Sequence, residues 1–275
     1  MTLLVGISCA DGVVIASDRQ ATHGVAGMPP TVGQAIVKPQ IILGQAIYAC
    51  SGPVSIGQQI AAKATELQPQ FGSMTCAAAV QKLQGKFREV LNPAFETAAQ
   101  AAKVRGQQIA MQEVLSQGML AAKFQDGIQL LDISAQGACE VMLADKLSFV
   151  CAGSGKSNAD PILGFLWSVY WRKQRPTLRE ATLAAYWTVR IGIDLKTMMV
   201  GDGPDVFVLE KHGTGGKHVR AHQLDDARLA EHDEFISAVM EQMRGVRDRM
   251  LLGPVAPAPA TAPTAPPEPP PAKTG

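Results

Sequence analysis

Three residues near the start of the chain, Thr2, Asp18 and Lys38, are of types that together could perform nucleophilic catalysis. A threonine hydroxyl is a weak nucleophile that needs a base, and an N-terminal residue carries its own α-amine within reach of that hydroxyl. The unperturbed pKa of an α-amine is about 7.7–8.0, so a modest decrease leaves much of it neutral near pH 7. The Lys38 ammonium group would lower this pKa, and the Asp18 carboxylate would keep Lys38 charged and in place. This chemistry requires removal of Met1, because an amide nitrogen on Thr2 is not a base.

A predicted β-hairpin would bring Thr2 and Asp18 together. The apolar run Leu3–Cys9 is followed by Asp11-Gly12 and by a second apolar run, Val13–Ala16. An Asp-Gly pair between two apolar runs is typical of a hairpin with a two-residue loop. Asp18, after the second strand, would then lie beside Thr2 at the start of the first strand.

Lys38 lies within a third apolar strand pattern, Ile36–Leu43, which allows two interpretations. In one, Lys38 completes a catalytic group with Thr2 and Asp18. In the other, it is an ordinary lysine at a strand edge, with a packed stem and an ammonium group in water. Each of the three residues is common at its position, so the residues alone leave both interpretations open.

Composition excludes several classes of protein. The net charge of +1 gives no electrostatic footprint for nucleic acid or for a membrane surface. No apolar run approaches the ~18–20 residues of a membrane span. The start of the sequence lacks a basic region followed by an apolar one, so we expect no secretory signal. The five cysteines are widely spaced, which favours buried, reduced thiols and a cytoplasmic location.

Two further patterns suggest ligand sites but lack the required spacing. The segment Gly153–Ser157 resembles a phosphate-binding loop, but Val150 occupies the position of its first glycine. The late histidines have no compact zinc-ligand spacing, and the cysteines contain no CxxC pair. We therefore expect neither a cofactor nor a metal.

Apolar periodicity predicts helices in two consecutive pairs between groups of short strands, with one further helix at the end. The predicted helices are 56–67, 75–98, 158–173, 177–193 and 225–250, and the later strands are 46–50, 119–124, 128–133, 139–143, 147–152, 205–210 and 218–221. Residues 21–34 are predicted as a loop, and 101–115 as either a helix extension or a loop. This order favours an α+β fold of two antiparallel sheets flanked by helix pairs, a four-layer α/β/β/α sandwich. We expect residues 2–252 to form the domain and the Pro/Ala-rich residues 253–275 to be a disordered tail.

The segment Val5–Thr22, with its DGVVIASDRQAT motif, resembles the start of proteasome β-type subunits and of the bacterial peptidase HslV. The resemblance covers roughly Thr2–Leu252 and is most specific over Thr2–Gly52 and at Gly153-Ser154-Gly155. The low aromatic content and the approach from Val200-Gly201 to a late strand at Asp205 look closer to two short bacterial forms, Anbu and the β-proteobacterial proteasome homologue. The Pro/Ala tail is part of what favours the latter. These families are threonine-type N-terminal nucleophile hydrolases.

The resemblance implies roles for individual residues. Thr2 matches the nucleophile, Asp18 its acidic partner, Lys38 the lysine that tunes the amine, and Ser154 a serine that hydrogen-bonds near the amino terminus. Asp194 is the counterpart of a late aspartate of the active-site cluster. The residues expected to bind substrate are Thr22, Ala49 and Ser51 through their backbone, Gly52 near the oxyanion position, and Ile47 in the first specificity pocket.

By the same resemblance, the chain is expected to be a threonine endopeptidase that assembles with identical subunits into a ring or stacked rings. Its substrates would be unfolded proteins or peptides, and an ATPase partner is compatible with this assignment. The segment Asp194–Met199 departs from the family's Asp-x-x-Ser-Gly-Gly pattern. This departure motivates an alternative, a catalytically silent ring or scaffold subunit. A hydrolase of small amides on the same fold is a further alternative.

Overall fold

The structure is a computed structural model that describes residues 2–23, 31–106, 108, 114–142, 148–171, 174–195, 201–213 and 218–252. Residues 1–232 form one compact unit, and 233–275 form a second. The predicted tail, 253–275, and Met1 lie outside the described residues. Among the helices that are described, none is long and apolar enough to cross a membrane.

Ten of the described strands form two antiparallel five-stranded sheets. The first sheet has the order β10-β1-β2-β11-β12, with β1 Leu4–Ser8, β2 Gly12–Asp18, β10 Phe149–Ala152, β11 Pro204–His212 and β12 His218–Gln223. The second has the order β5-β6-β7-β8-β9, with β5 Gln40–Ile42, β6 Ala46–Ser51, β7 Gln117–Phe124, β8 Gly127–Ile133 and β9 Cys139–Val141. Between β2 and β5 in the chain, β3 (Gln20–His23) and β4 (Thr31–Ala35) pair as a separate hairpin.

The helices are α1 Val54–Phe71, α2 Cys76–Arg105, α3 Lys156–Tyr170, α4 Leu178–Asp194 and α5 Asp226–Leu252. Helix α1 packs on β5, β6 and β7, and α2 packs on β9, so this pair covers the second sheet. Helix α4 packs on β1, β2 and β11, and α3 packs on β10, so the other pair covers the first sheet. The described residues therefore form a mixed α/β fold in which each sheet carries its own pair of helices.

Alternation along the strands divides the apolar side chains between two clusters. In β6, Ala46 and Tyr48 belong to a cluster that also contains residues of α1 and α2. Ile47 and Ala49, on the opposite face of the same strand, join Ile15 of β2 and Leu209 of β11 in a cluster between the two sheets. Because successive side chains of a strand point to opposite faces, both faces of β6 are buried, which explains its continuous apolar sequence.

The aspartates of two hairpin turns connect each sheet to one of its helices. Asp11 precedes β2, and its Oδ1 accepts a hydrogen bond from the Leu178 amide in the first turn of α4 at 2.8 Å. Asp126 precedes β8, and its carboxylate accepts one from the Cys76 amide in the first turn of α2 at 3.0 Å. Both carboxylates thus satisfy free amides at a helix N-terminus and lie at its positive end.

The structure confirms the grouping of strands and helices and corrects three local predictions. The turn of the first hairpin is centred one residue before the predicted Asp11-Gly12 pair, since Cys9 pairs with Gly12. The predicted loop 21–34 contains most of both β3 and β4. The predicted strand 36–43 is a strand only over Gln40–Ile42.

Lys38 therefore lies in an irregular segment before β5 and not within a strand. Pro39 explains the difference, because proline has no amide to donate to a strand ladder. In the undecided region 101–115, α2 continues to Arg105 and ends at Gly106, whose left-handed backbone (φ +66°) is a common helix terminator.

The cluster between the sheets predicts a large difference between two isoleucines. Ile15→Ala removes a fully buried side chain from this cluster and should lower the free energy of unfolding by about 2–5 kcal/mol. Ile41→Ala, at a side chain that is 41% exposed on the edge strand β5, is the matched control. Its cost should stay below about 1 kcal/mol in urea unfolding. Equal costs for the two substitutions would contradict this division of the core.

Candidate active site

The buried carboxylate of Asp18, at the end of β2, is the centre of the candidate site. Its Oδ1 accepts hydrogen bonds from the Leu3 amide at 2.8 Å and from the Lys38 ammonium group at 2.5 Å. Its Oδ2 accepts longer ones from the amides of Gln20 at 3.3 Å and Gly201 at 3.5 Å. The carboxylate thus joins the residue that follows Thr2 to the segment that carries Lys38.

The Lys38 ammonium group is enclosed together with its partner. The side chain of Lys38 is 4% exposed and that of Asp18 is fully buried. Burial lowers the pKa of Lys38 below its usual value, while the Asp18 carboxylate opposes this decrease. Because the Lys38 ammonium group is buried in this ion pair, Lys38 is not a strand-edge lysine whose ammonium group reaches solvent.

Thr2 is held by the turn between β10 and α3. Its amide donates to Ser154 Oγ at 3.2 Å, and its carbonyl accepts from the Gly155 amide at 3.2 Å. Ser154 Oγ also lies 3.4 Å from the Thr2 carbonyl oxygen. Thr2 itself is 9% exposed. The structure therefore brings the Ser154 hydroxyl to the backbone of Thr2, and the role that the resemblance implies for Ser154 stays a prediction.

Gly153 is a position where only glycine fits. Its backbone has φ +87°, and a Cβ there would lie 2.3 Å from the Thr2 carbonyl oxygen. The same Cβ would lie 3.1 Å from Ser51 Oγ, so Ser51, at the end of β6, also approaches the site. Any side chain at position 153 would displace the backbone of Thr2.

The residues predicted to bind substrate occupy different environments. Ile47 and Ala49 are fully buried in the cluster between the sheets, so their side chains face the core, and a direct contact with substrate stays a prediction. Gly52 has φ +127°, a backbone conformation that favours glycine. Thr22 lies in β3, and its side chain is outside the described part of the structure.

Asp194 is not among the residues gathered around Asp18. It ends helix α4 with a side chain that is 61% exposed, and its Oδ1 accepts a hydrogen bond from Arg190 at 3.2 Å. The segment that follows, 196–200, lies outside the described residues. The role that the resemblance implied for Asp194 is therefore a prediction without a described contact to the site.

Sequence reasoning missed a second buried ionic group beside Asp18. Arg19 and Asp205 form a salt bridge at 2.8 Å, and Asp205 is fully buried opposite Ser17 in the pairing of β2 with β11. One sequence feature could have indicated it. Asp205 is a carboxylate at the start of an otherwise apolar strand, and a buried carboxylate requires a partner.

The arrangement offers a hydroxyl, a backbone nitrogen beside a serine hydroxyl, and a buried ion pair within one small region. No group of three or more metal-ligating side chains occurs among the described residues. If Met1 is absent, the nitrogen of Thr2 becomes an amine at the position where its amide now meets Ser154 Oγ. This set of groups can support covalent catalysis by a hydroxyl with an internal base.

Comparisons with known proteins show the fold. No family model matches the chain, and no curated protein matches it in sequence. Among solved structures, the chain is similar to the Gly-1 mutant of Anbu from Hyphomicrobium sp. strain MC1, with a TM-score of 0.62. The two are 17% identical, and the alignment covers 89% of this chain and 97% of the other. At 17% identity the likeness shows a shared fold. Anbu is one of the two short bacterial forms that the sequence resembles.

Proposed function

We propose that this chain is the peptidase subunit of a ring-shaped, self-compartmentalised threonine protease, with Thr2 as its N-terminal nucleophile. The observation that carries the proposal is the Asp18 carboxylate, which binds both the Leu3 amide, next to Thr2, and the Lys38 ammonium group. The contact of Ser154 with the nitrogen of Thr2 supports it. The fold shared with Anbu and the packing of a helix pair on each sheet support a four-layer α/β/β/α sandwich.

The proposed reaction begins after Met1 has been removed. The Thr2 α-amine accepts the proton of the Thr2 hydroxyl while Oγ attacks the carbonyl carbon of a peptide bond. The C–N bond then breaks, the amine returns the proton to the leaving nitrogen, and an ester links Thr2 to the acyl part of the substrate. Water hydrolyses this ester, again with the amine as base, and regenerates the hydroxyl. The substrates would be peptides and unfolded proteins that enter a ring of identical subunits.

Lys38 and Ser154 would set the protonation state and position of the amine. A buried ammonium group close to the amine disfavours a second positive charge, so it lowers the pKa of the amine and keeps more of it neutral. Asp18 would act through Lys38, since the carboxylate holds the ammonium group in place. Ser154 would orient the amine by a hydrogen bond from the position where it now contacts the Thr2 amide.

One observation favours a second candidate, a catalytically silent ring or scaffold subunit. Asp194 is exposed and paired with Arg190, and the segment after it departs from the family pattern. A silent subunit would assemble in the same way but would not react with electrophiles at Thr2.

The nucleophile is tested by Thr2→Ala. We expect this substitution to abolish peptide cleavage and covalent labelling by a β-lactone or epoxyketone while the size of the assembly stays unchanged in native mass spectrometry. Thr97→Ala, which removes a hydroxyl from the exposed face of α2, is the control and should keep full activity. Intact mass should show loss of Met1. Cleavage by the Thr2→Ala protein, or a retained Met1, would refute the mechanism.

The ion pair is tested by Lys38→Met, which leaves the buried Asp18 carboxylate without the ammonium group. We expect the free energy of unfolding to fall by about 3–5 kcal/mol, because an uncompensated buried charge is costly. The labelling rate of Thr2 should fall as well. Lys63→Met breaks an exposed pair with Glu66 and should cost less than about 1 kcal/mol. Wild-type labelling by a folded Lys38→Met protein would exclude the proposed role of Lys38.

The close approach at Gly153 is tested by comparing two glycines with positive φ. Gly153→Ala and Gly44→Ala should each cost about 1–2 kcal/mol from backbone strain. Only Gly153→Ala also displaces Thr2, because a Cβ at Gly44 has nothing within 4 Å. We expect its labelling rate to fall about tenfold or more, and that of Gly44→Ala to stay within about twofold. Similar rates for both variants would contradict the placement of Thr2.

A further inference from the structure

The second buried carboxylate, Asp205, has contacts that the proposed chemistry does not use. Asp205 lies at the start of β11, pairs in register with Ser17 and is fully buried. Its Oδ1 accepts hydrogen bonds from Arg19 Nε at 2.9 Å and Gln223 Nε2 at 2.8 Å, and Arg19 Nη2 lies 2.8 Å from the same oxygen. A carboxylate at this depth is costly unless it is paired and hydrogen-bonded. Arg19 supplies the compensating charge.

Two polar atoms near this pair have no hydrogen bond within the described part of the chain. They are Asp205 Oδ2 and Ser17 Oγ, both in fully buried residues that face each other across the strand pair. The pair is therefore an only partly satisfied ionic group. A buried polar atom without a partner is uncommon in a native structure and calls for an explanation.

The backbone of Arg19 connects this pair to both sides of the Asp18 carboxylate. The Arg19 amide donates to the carbonyls of Gly201 at 3.1 Å and Gly203 at 3.2 Å. The Gly201 amide in turn donates a hydrogen bond to Asp18 Oδ2. The Arg19 carbonyl accepts from the Ile36 amide at 2.7 Å, two residues before Lys38. One residue thus anchors the segment that supplies the Gly201 amide and the segment that carries the ammonium group.

We propose that Asp205 is a positioning residue of the Thr2 site, which it serves by fixing Arg19 and, through Arg19, the segments that contain Gly201 and Lys38. This role rests on the proposed function. Asp205 contacts neither Thr2 nor a substrate in this arrangement. Its effect is on the geometry and the electrostatic potential of the Asp18–Lys38 pair.

The charges around Lys38 determine the sign of the expected pH effect. The charged groups that act on it are Asp18 on β2, Asp202 before β11, and Asp205, which is itself paired with Arg19. Removal of the Asp205 charge leaves Arg19 uncompensated and makes the site more positive. Protonation of the Thr2 amine then becomes less favourable, so the pKa of the amine falls. The acid limb of the pH–rate profile, along which protonation of the amine removes activity, therefore moves to lower pH. Removal of the Arg19 charge should move the limb to higher pH.

The test measures kcat, KM and the pH dependence of Thr2 labelling for Asp205→Asn, Arg19→Gln and the double variant. We expect Asp205→Asn to lower kcat about 10- to 100-fold with KM within about twofold, since a displacement of catalytic groups costs turnover. Its acid limb should move to lower pH and that of Arg19→Gln to higher pH. The double variant removes both charges and should return the limb towards the wild-type position. Arg19→Lys keeps the charge and should leave the limb close to wild type.

Glu210→Gln is the matched control. It makes the same chemical change on the same strand, but Glu210 pairs with Gly12 at the far end of β2. It should change neither kcat nor the pH profile. If Asp205→Asn does not fold, Arg19→Gln provides the test, because the Arg19 side chain is one-third exposed.

Three results would overturn the positioning role in an active enzyme. The first is a folded Asp205→Asn or Arg19→Gln protein with wild-type kcat and an unshifted acid limb. The second is a loss of thermal stability alone, with unchanged turnover. The third is a Glu210→Gln protein with the same kinetic changes. A wild-type protein that neither cleaves peptides nor labels at Thr2 would instead refute the proposed function, and the positioning role with it.

Discussion

The burial of one carboxylate determines how this end of the molecule is built. A charged group without water must be surrounded by donors, and Asp18 finds them in the Leu3, Gln20 and Gly201 amides and in the Lys38 ammonium group. These donors come from the residue before β1, the first residue of β3, the approach to β11 and the segment before β5. Satisfying Asp18 therefore fixes four parts of the chain relative to one another. This arrangement also fixes the position of Thr2, because the Leu3 amide belongs to the peptide bond between Thr2 and Leu3.

The parts of the fold that depend on local patterns could be predicted from the sequence. Apolar periodicity predicts a helix over 75–98, and α2 does begin at Cys76, after Thr75, whose Oγ1 accepts a hydrogen bond from the Ala78 amide. The irregular segment around Lys38 was predicted as a strand because it lies between apolar residues at 36–37 and 41–43, although Pro39 prevents strand pairing there. The hairpin of β3 and β4 was missed because polar residues and glycine interrupt its few apolar ones. Its strands pair with each other and belong to neither large sheet.

In the candidate site, too, contacts within one hairpin could be derived from the residues, whereas contacts between residues far apart in the chain could not. The approach of Asp18 to the start of β1 follows from hairpin geometry and could be derived from the residues. The approach of Ser154 to Thr2 joins residues 152 positions apart and was expected only from a family resemblance. The Arg19–Asp205 pair spans 186 positions and was not expected at all. Contacts of this kind depend on which strands become neighbours in the sheet, and no periodicity of a single segment encodes that choice.

The enclosure of Thr2 has a consequence for the order of events in synthesis. An aminopeptidase that removes the initiator methionine must accommodate the first residues of the chain in its own cleft. In the folded chain Thr2 is 9% exposed, and its amide and carbonyl are bound by the turn at Ser154-Gly155. That turn lies in the second half of the chain and is synthesised long after the first strand. Under the proposed mechanism, methionine is therefore removed from the nascent chain, before the turn closes over its amino terminus, and a subunit that folds too early stays inert.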